Sequence, residues 1–251
     1  MRIVLGIQYD GKDFCGWQIQ PNERTVQQTI EDALFKLTGK KCSLTGSGRT
    51  DSGVHALCQI AHFDIEGGLP AEKYAPALNG LLPSDVQILF SFLAPSDFHA
   101  RFGAKKKTYV YTFYVSDVKL PLLEPYAQRI FNVDYKKMQE GAKYLVGEHD
   151  FKCFLASNSS VVNTVRTIYS CKISKKGNKI ILEVCGNGFL YNMVRTIAGT
   201  LLYVGEGRFA PEYVKEIIAS QSREKAGKTM PAKGLMLKSV CYKGVKIPKN
   251  Y

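Results

Sequence analysis

The chain has 251 residues, 45% of them hydrophobic, enough for a substantial core, and that level of apolar content argues against intrinsic disorder. No run approaches the roughly 18 apolar residues of a spanning helix, and the N-terminus lacks a signal peptide's apolar stretch and cleavage site. Seven cysteines, an odd number with no Cys-x-x-Cys pair, argue against a disulfide framework and a zinc cluster, which fits a reducing cytoplasm, while a formal charge of +12 suits a polyanionic partner.

The first expected element is a strand over Ile3 to Tyr9, followed by a loop holding Asp10-Gly11 and Gly16-Trp17-Gln18. A helix comes next, with Thr25 as N-cap, Val26, Ile30, Leu34 and Leu37 at helical spacing, and Gly39 as its end. A Gly-rich turn at 46 to 53 leads into a strand in which Leu57, Gln59, Ala61, Phe63 and Ile65 share one side. A short helix near 72 to 80 and a strand near 86 to 93 complete a first half.

Lys105 to Val115 is the strongest strand signal, with Tyr109, Tyr111 and Phe113 on one face. A helix at about 135 to 146 presents Tyr135, Met138, Ala142 and Leu145, and a Ser/Asn-rich loop follows at 157 to 164. A hairpin spans Thr167 to Val184 around Lys176-Gly177-Asn178, and a helix over Tyr191 to Val204 carries a stripe of Val194, Ile197, Leu201 and Val204. A helix near 212 to 219 and a strand near 235 to 242 close the chain. The expected class is α+β in two similar halves, 1–104 and 105–251, each an antiparallel or mixed sheet with helices on one face. Charge is uneven: residues 1–100 carry about −3 and residues 101–251 about +15, which favours a nucleic-acid partner over a solvated lysine-rich face, the other reading of the same lysines.

The segment Gly46-Ser47-Gly48-Arg49-Thr50-Asp51-Ser52-Gly53 holds the most chemistry. A dinucleotide cradle fails, because glycine is required where Asp51 stands and a carboxylate repels a pyrophosphate. A hydrolase built on Ser52, Asp51 and His55 lacks the Gly-x-Ser-x-Gly elbow. Two readings stay open on residues alone: a tight turn in which Asp51 caps its own backbone, or a reactive carboxylate beside Arg49 in a backbone that lets a bulky ligand approach. An adjacent guanidinium keeps a carboxylate ionised, which suits a nucleophile better than a proton donor.

His55, His62, His99 and His149 have no metal-collecting spacing, so no metal or other cofactor is expected. Trp17 reads as core. Lys105, Lys106 and Lys107 feed the aromatic face of Tyr109, as in a nucleic-acid stacking platform, although strand packing explains the same pattern. Arg195 lies on an apolar helix and calls for an acid elsewhere in the fold.

Taken together, these segments resemble the bacterial tRNA pseudouridine synthase A family. The resemblance runs through Tyr9-Asp10-Gly11, Gly16-Trp17-Gln18-Ile19-Gln20, Gly48-Arg49-Thr50-Asp51-Ser52-Gly53-Val54-His55-Ala56, Phe98-His99-Ala100-Arg101-Phe102 and Lys107-Thr108-Tyr109-Val110-Tyr111. It continues in Gly147-Glu148-His149-Asp150-Phe151, Phe189-Leu190-Tyr191-Asn192-Met193-Val194-Arg195 and Pro231-Ala232-Lys233-Gly234-Leu235-Met236-Leu237. Ser52 and Met230 stand where the family often has alanine, and neither change removes a functional group.

The resemblance implies a cytoplasmic, cofactor-free homodimer that isomerises uridine to pseudouridine at positions 38 to 40 of the tRNA anticodon stem-loop, with the two sheets joined along a basic cleft. It makes Asp51 the nucleophile, Arg49 the residue that assists base flipping, Tyr109 the residue that packs on the target base, and Arg195 the ion-pair partner of Asp51. Arg101, Lys105, Lys106, Lys107 and Leu235 complete the expected substrate contacts.

Overall fold

The computed structural model describes residues 1–156 and 161–248. The first four residues of the expected Ser/Asn loop, 157–160, lie outside them. The chain divides into two compact units, Met1–Lys105 with Leu237–Tyr251, and Lys106–Met236. The closing segment, which sequence order placed in the second half, is thus grouped with the first.

In the first unit, β1 (Arg2–Tyr9) leads to α1 (Val26–Thr38). The Thr25 hydroxyl accepts from the Gln28 N–H at 3.4 Å, and Gly39 ends the helix at φ 68°, a left-handed conformation that glycine adopts without a Cβ penalty. Val26, Ile30 and Leu34 are fully buried. A two-residue β2 (Thr45–Gly46) precedes β3 (His55–Asp64); a 3-10 turn and α2 (Tyr74–Asn79) then lead to β4 (Val86–Ala94). β1 pairs antiparallel with β3 (Ile3 opposite Phe63, Leu5 opposite Ala61) and with β4, while β2 pairs with β3. β1 and β3 are buried almost throughout, and β3 takes the polar His55, Gln59 and His62 into that burial.

In the second unit, β5 (Ala104–Val115) and the short parallel β6 (Gln128–Ile130) are followed by α3 (Tyr135–Lys143). The Asp134 carboxylate caps α3, accepting from Lys136 N–H at 2.9 Å and Lys137 N–H at 3.2 Å. β7 (Gly147–Asp150), β8 (Val165–Lys176) and β9 (Lys179–Gly186) make an antiparallel meander, ordered β5-β9-β8-β7. Gly177, at φ 58°, turns the β8–β9 hairpin. Along β9 burial alternates residue by residue, so one face of this sheet is covered and the other open.

α4 (Met193–Gly205) and α5 (Tyr213–Ser220) follow, then β10 (Leu235–Tyr242), the neighbour of β3 in the first unit's strand order β4-β1-β3-β10. The expected stripe on α4 is buried, yet so are Thr196, Ala198, Gly199, Thr200 and Leu202: the helix is enclosed on nearly all sides. A Cβ at Gly199 would meet the Lys228 carbonyl oxygen at 1.8 Å, and one at Gly227 would meet Thr200 N at 2.5 Å. Backbone lies directly on backbone there, fixed by the Gly227 N–H donating to Thr200 Oγ1 at 2.8 Å.

Candidate active site

The Asp51 loop is fastened at its base. The Ser47 N–H donates to the Ile60 carbonyl at 2.7 Å, the Ser47 hydroxyl donates to Gln59 Oε1, and Gln59 Nε2 donates to the Gly48 carbonyl at 2.9 Å. Ser47 and Gln59 are both fully buried, so these bonds have little competition from water. Next in sequence, Thr50 is 6% exposed and its hydroxyl pairs with the Tyr9 phenol at 2.8 Å. Burial pushes the Tyr9 pKa up, keeping that phenol neutral.

The loop rests on the segment that follows β1. Trp17 N–H donates to the Thr50 carbonyl at 3.1 Å, and Gly53 N–H donates to the Phe14 carbonyl at 3.2 Å. Gly16 sits at φ 88° with its α-carbon against Thr50; an added Cβ would lie 2.7 Å from the Thr50 carbonyl oxygen. A Cβ on Gly46 would lie 2.6 Å from the Trp17 ring. Trp17 is 2% exposed, so the indole floors the loop and offers no face to a base. Val54 N–H closes the turn on the Asp51 carbonyl at 3.1 Å, with Gly53 at φ 76°.

Three consecutive roles result. Thr50 points inward, Asp51 is half-buried, and Arg49 is exposed at the loop's rim. His55 is buried with Nδ1 accepting from Gly11 N–H at 3.0 Å, and the Ser52 hydroxyl bonds the Phe14 carbonyl at 3.3 Å, an arrangement that does not build a hydrolase triad.

The second unit holds Tyr109, Arg195, Lys106, Lys107 and Leu235, whereas Arg101 and Lys105 belong to the first. Tyr109 on β5 is 9% exposed and meets Phe189 edge-on, with ring centroids 5.2 Å apart. Two positions on, Tyr111 donates its hydroxyl to the Pro231 carbonyl at 2.8 Å. Burial pushes the Tyr111 pKa up, and the Arg195 charge partly counters it.

Arg195, half-buried on α4, is held by acceptors from both sides: Nε donates to the Met230 carbonyl at 2.6 Å and Nη1 to Asn192 Oδ1 at 2.6 Å. Asn192 adopts φ 60°, a left-handed conformation that asparagine tolerates better than most residues. Met230 N–H returns a bond to the Arg195 carbonyl at 3.2 Å. The strap that runs over Gly199 therefore also fixes the arginine's direction.

The basic residues are dispersed. Lys106 is exposed, its ammonium 5.0 Å from the Tyr169 ring centre, and strand alternation puts it on the face opposite Tyr109. Lys107 shares the Tyr109 side and is half-buried; Lys105 is exposed. Arg101 is exposed with its guanidinium over the Phe102 ring, 5.5 Å from the centroid. Leu235 is 6% exposed at the start of β10, and Lys233 before it is ion-paired with Glu124. Sequence reasoning missed Gln59, Phe189 and Asn192; a glutamine among apolar strand residues is a signal for the first, and the left-handed asparagine gives none. Among the described residues, no group of three His, Cys, Asp or Glu side chains is arranged to hold a metal, and no helix is long and apolar enough to cross a membrane.

A family model described as tRNA pseudouridine synthase matches residues 6–103 and 142–243, which include the Asp51 loop and α4. The chain belongs to the tRNA pseudouridine synthase family. A tRNA pseudouridine synthase A from Caldicellulosiruptor bescii is 45% identical over 241 residues, covering 96% of this chain and 99% of that protein. One from Ruminiclostridium cellulolyticum is 46% identical over 243 residues, with the same two coverages. A chain in the crystal structure of a Cbf5–Nop10–Gar1 complex covers 93% of this chain and 57% of its own at 11% identity and a TM-score of 0.37, too slight a likeness to bear on the fold. As a tRNA pseudouridine synthase the protein is an isomerase, and its substrate accounts for the basic composition.

Proposed function

We propose that this synthase isomerises uridines at positions 38 to 40 of the tRNA anticodon stem-loop, with Asp51 as nucleophile. The observation that carries the reading is the Asp51 loop itself: a carboxylate left half-buried on a backbone fastened by Gln59, Tyr9 and Trp17, with Arg49 exposed two residues away. Such a loop holds a reactive group in place before the substrate arrives, which lowers the reorganisation needed during reaction.

The chemistry needs one carboxylate. Hydrolysis of a glycosidic bond generally uses an acid and a nucleophile or base. In the isomerisation the N1–C1′ bond breaks, the uracil stays bound and turns, a C5–C1′ bond forms, N1 takes a proton and the C5 proton leaves to solvent. An ionised Asp51 can serve by attacking C1′, by attacking the base, or by assisting loss of the C2′ proton. Arg195 is its ion-pair partner in this reading, aimed by Asn192 and Met230. Arg49 fills the space left by the flipped nucleotide, an extrusion that costs a few kcal/mol in a stem, and Tyr109, braced by Phe189, packs on the uracil.

The same reading holds the protein to be a cytoplasmic homodimer, and sedimentation mass with and without tRNA checks the dimer. The decisive measurement is tritium release from tRNA labelled at uridine C5, comparing wild type with Asp51→Ala. Release is expected to vanish in the variant, and equal release from both overturns the assignment.

A further inference from the structure

Phe102 is 74% exposed, unusual for a phenylalanine in a segment otherwise packed down. Its neighbours are fastened in five ways. Arg2 Nη1 donates to the carbonyls of Ser96 at 2.5 Å and Phe98 at 2.7 Å; the Tyr242 hydroxyl donates to the Ala100 carbonyl at 2.7 Å; Ala100 N–H donates to His62 Nδ1 at 3.3 Å. His99 Nδ1 accepts from the N–H groups of both Arg101 and Phe102, at 3.1 and 3.2 Å, and Gly103 N–H returns to the His99 carbonyl at 2.8 Å. A Cβ on Gly103 would lie 2.8 Å from that oxygen, so the turn requires glycine.

Burial, with the nearby Arg2 and His99, lowers the His62 pKa to about 4, so at neutral pH this histidine stays an acceptor for Ala100. Side chains complete the mount. The His99 ring backs Phe102 at 4.5 Å between centroids, and Phe98, 7% exposed, lies against Tyr242 at 4.9 Å. The exposed ring therefore stands on a rigid bed.

We propose that Phe102, backed by His99 and flanked by Arg101, is a base-stacking finger that takes one nucleotide of the bound tRNA, its base on the ring and its phosphate on Arg101. Three observations favour RNA over a second protein chain. Arg101 forms no salt bridge among the described residues, and Lys105, three residues beyond Phe102, is exposed, so the ring has cations beside it. A nucleotide supplies both a π-face and an anion. Phe102 is also the one large apolar side chain exposed between residues 98 and 105, far short of the roughly 800 Å² per partner of a standard protein interface. Rigidity favours stacking as well, because the ring pays little entropy on contact. The proposal makes no use of Asp51 and stands whether or not Asp51 performs the chemistry.

The test is equilibrium tRNA binding with Phe102→Ala, Phe102→Leu, Phe102→Trp and Arg101→Gln. Losing a stacked ring is expected to weaken binding on the order of ten-fold in both Phe102→Ala and Phe102→Leu, whereas Phe102→Trp retains affinity. Arg101→Gln lowers the slope of log Kd against log salt by about one. Trp17 is the single tryptophan and is buried, so Phe102→Trp adds an exposed fluorophore whose emission tRNA should quench. Truncation of an exposed ring leaves folding intact, checked by an unchanged thermal midpoint. Wild-type affinity in Phe102→Ala with unquenched emission in Phe102→Trp overturns the proposal, and so does a fall in sedimentation mass in Phe102→Ala, which assigns the ring to a second copy.

Discussion

Replacing Gln59 with leucine removes its two hydrogen bonds to the base of the Asp51 loop, together with its contact to the Tyr9 phenol. Gln59 Oε1 accepts from the Ser47 hydroxyl and Nε2 donates to the Gly48 carbonyl, with Gln59 and Ser47 both fully buried. Each partner left unsatisfied costs about 1–3 kcal/mol, giving about 2–6 for the pair. The Ser47 hydroxyl can rotate toward another acceptor and the leucine buries apolar surface, so the net loss is about 2–4 kcal/mol. That is a large share of a domain stability of about 5–15 kcal/mol. Urea unfolding of wild type and Gln59→Leu measures it, with slopes compared so that a change in midpoint is read as stability. Because these bonds set the height of the Asp51 loop, kcat for tritium release should fall more steeply than KM rises. A loss under about 0.5 kcal/mol with kcat intact refutes the clamp.

Gly199→Ala drives a Cβ into the Lys228 carbonyl at 1.8 Å, which must displace the strap ending at Met230. A loss of about 3 kcal/mol or more by thermal unfolding, with a drop in kcat at permissive temperature, is expected. His62 has its pKa lowered to about 4 from the ordinary histidine value of 6.5, so between these pH values the unfolded chain binds more protons than the folded one. Its contribution is therefore full above pH about 6.5 and is lost as pH falls toward 4, by up to about 3 kcal/mol; parallel pH–stability curves for wild type and His62→Gln refute this. Thr25→Ala removes the cap on α1 and should cost about 1 kcal/mol in urea unfolding, whereas no change means the 3.4 Å bond to Gln28 contributes nothing.

Elements specified by local chemistry were legible in the sequence. Thr25 and Gly39 bracket α1 because a side-chain acceptor and a left-handed residue are what helix ends require, and Gly177 marks the β8–β9 turn for the same kind of reason. The alternation along Lys105 to Val115 marked β5, with Tyr109, Tyr111 and Phe113 buried on one side. Long-range features were not legible. A period of two grouped Leu57 with Gln59, yet Leu57 is 37% exposed and Gln59 is fully buried, drawn in by a loop eleven residues away. The apolar stripe of α4 was legible but its enclosure on nearly all sides was not, because nothing local shows that Gly199 admits the backbone of Gly227. Asp51 was ambiguous for a similar reason. Its turn residues were visible, but the partners that stiffen the turn, Tyr9, Trp17 and Gln59, come from two strands and an intervening loop.

The return of β10 to the first unit sets an order of events during synthesis. Strand β3, which carries Gln59 and so anchors the Asp51 loop, has β10 as a neighbour, and β10 leaves the ribosome only after Lys106–Met236 has been made. At about 5–20 residues per second that interval is on the order of ten seconds. The nascent first unit waits through it with the β3 flank of its sheet covered only by the two-residue β2, a ready template for wrong strands. The scaffold of the reactive loop thus gains its β10 neighbour only after the whole second unit has been made, and a chain terminated before β10 carries Asp51 without that strand beside β3.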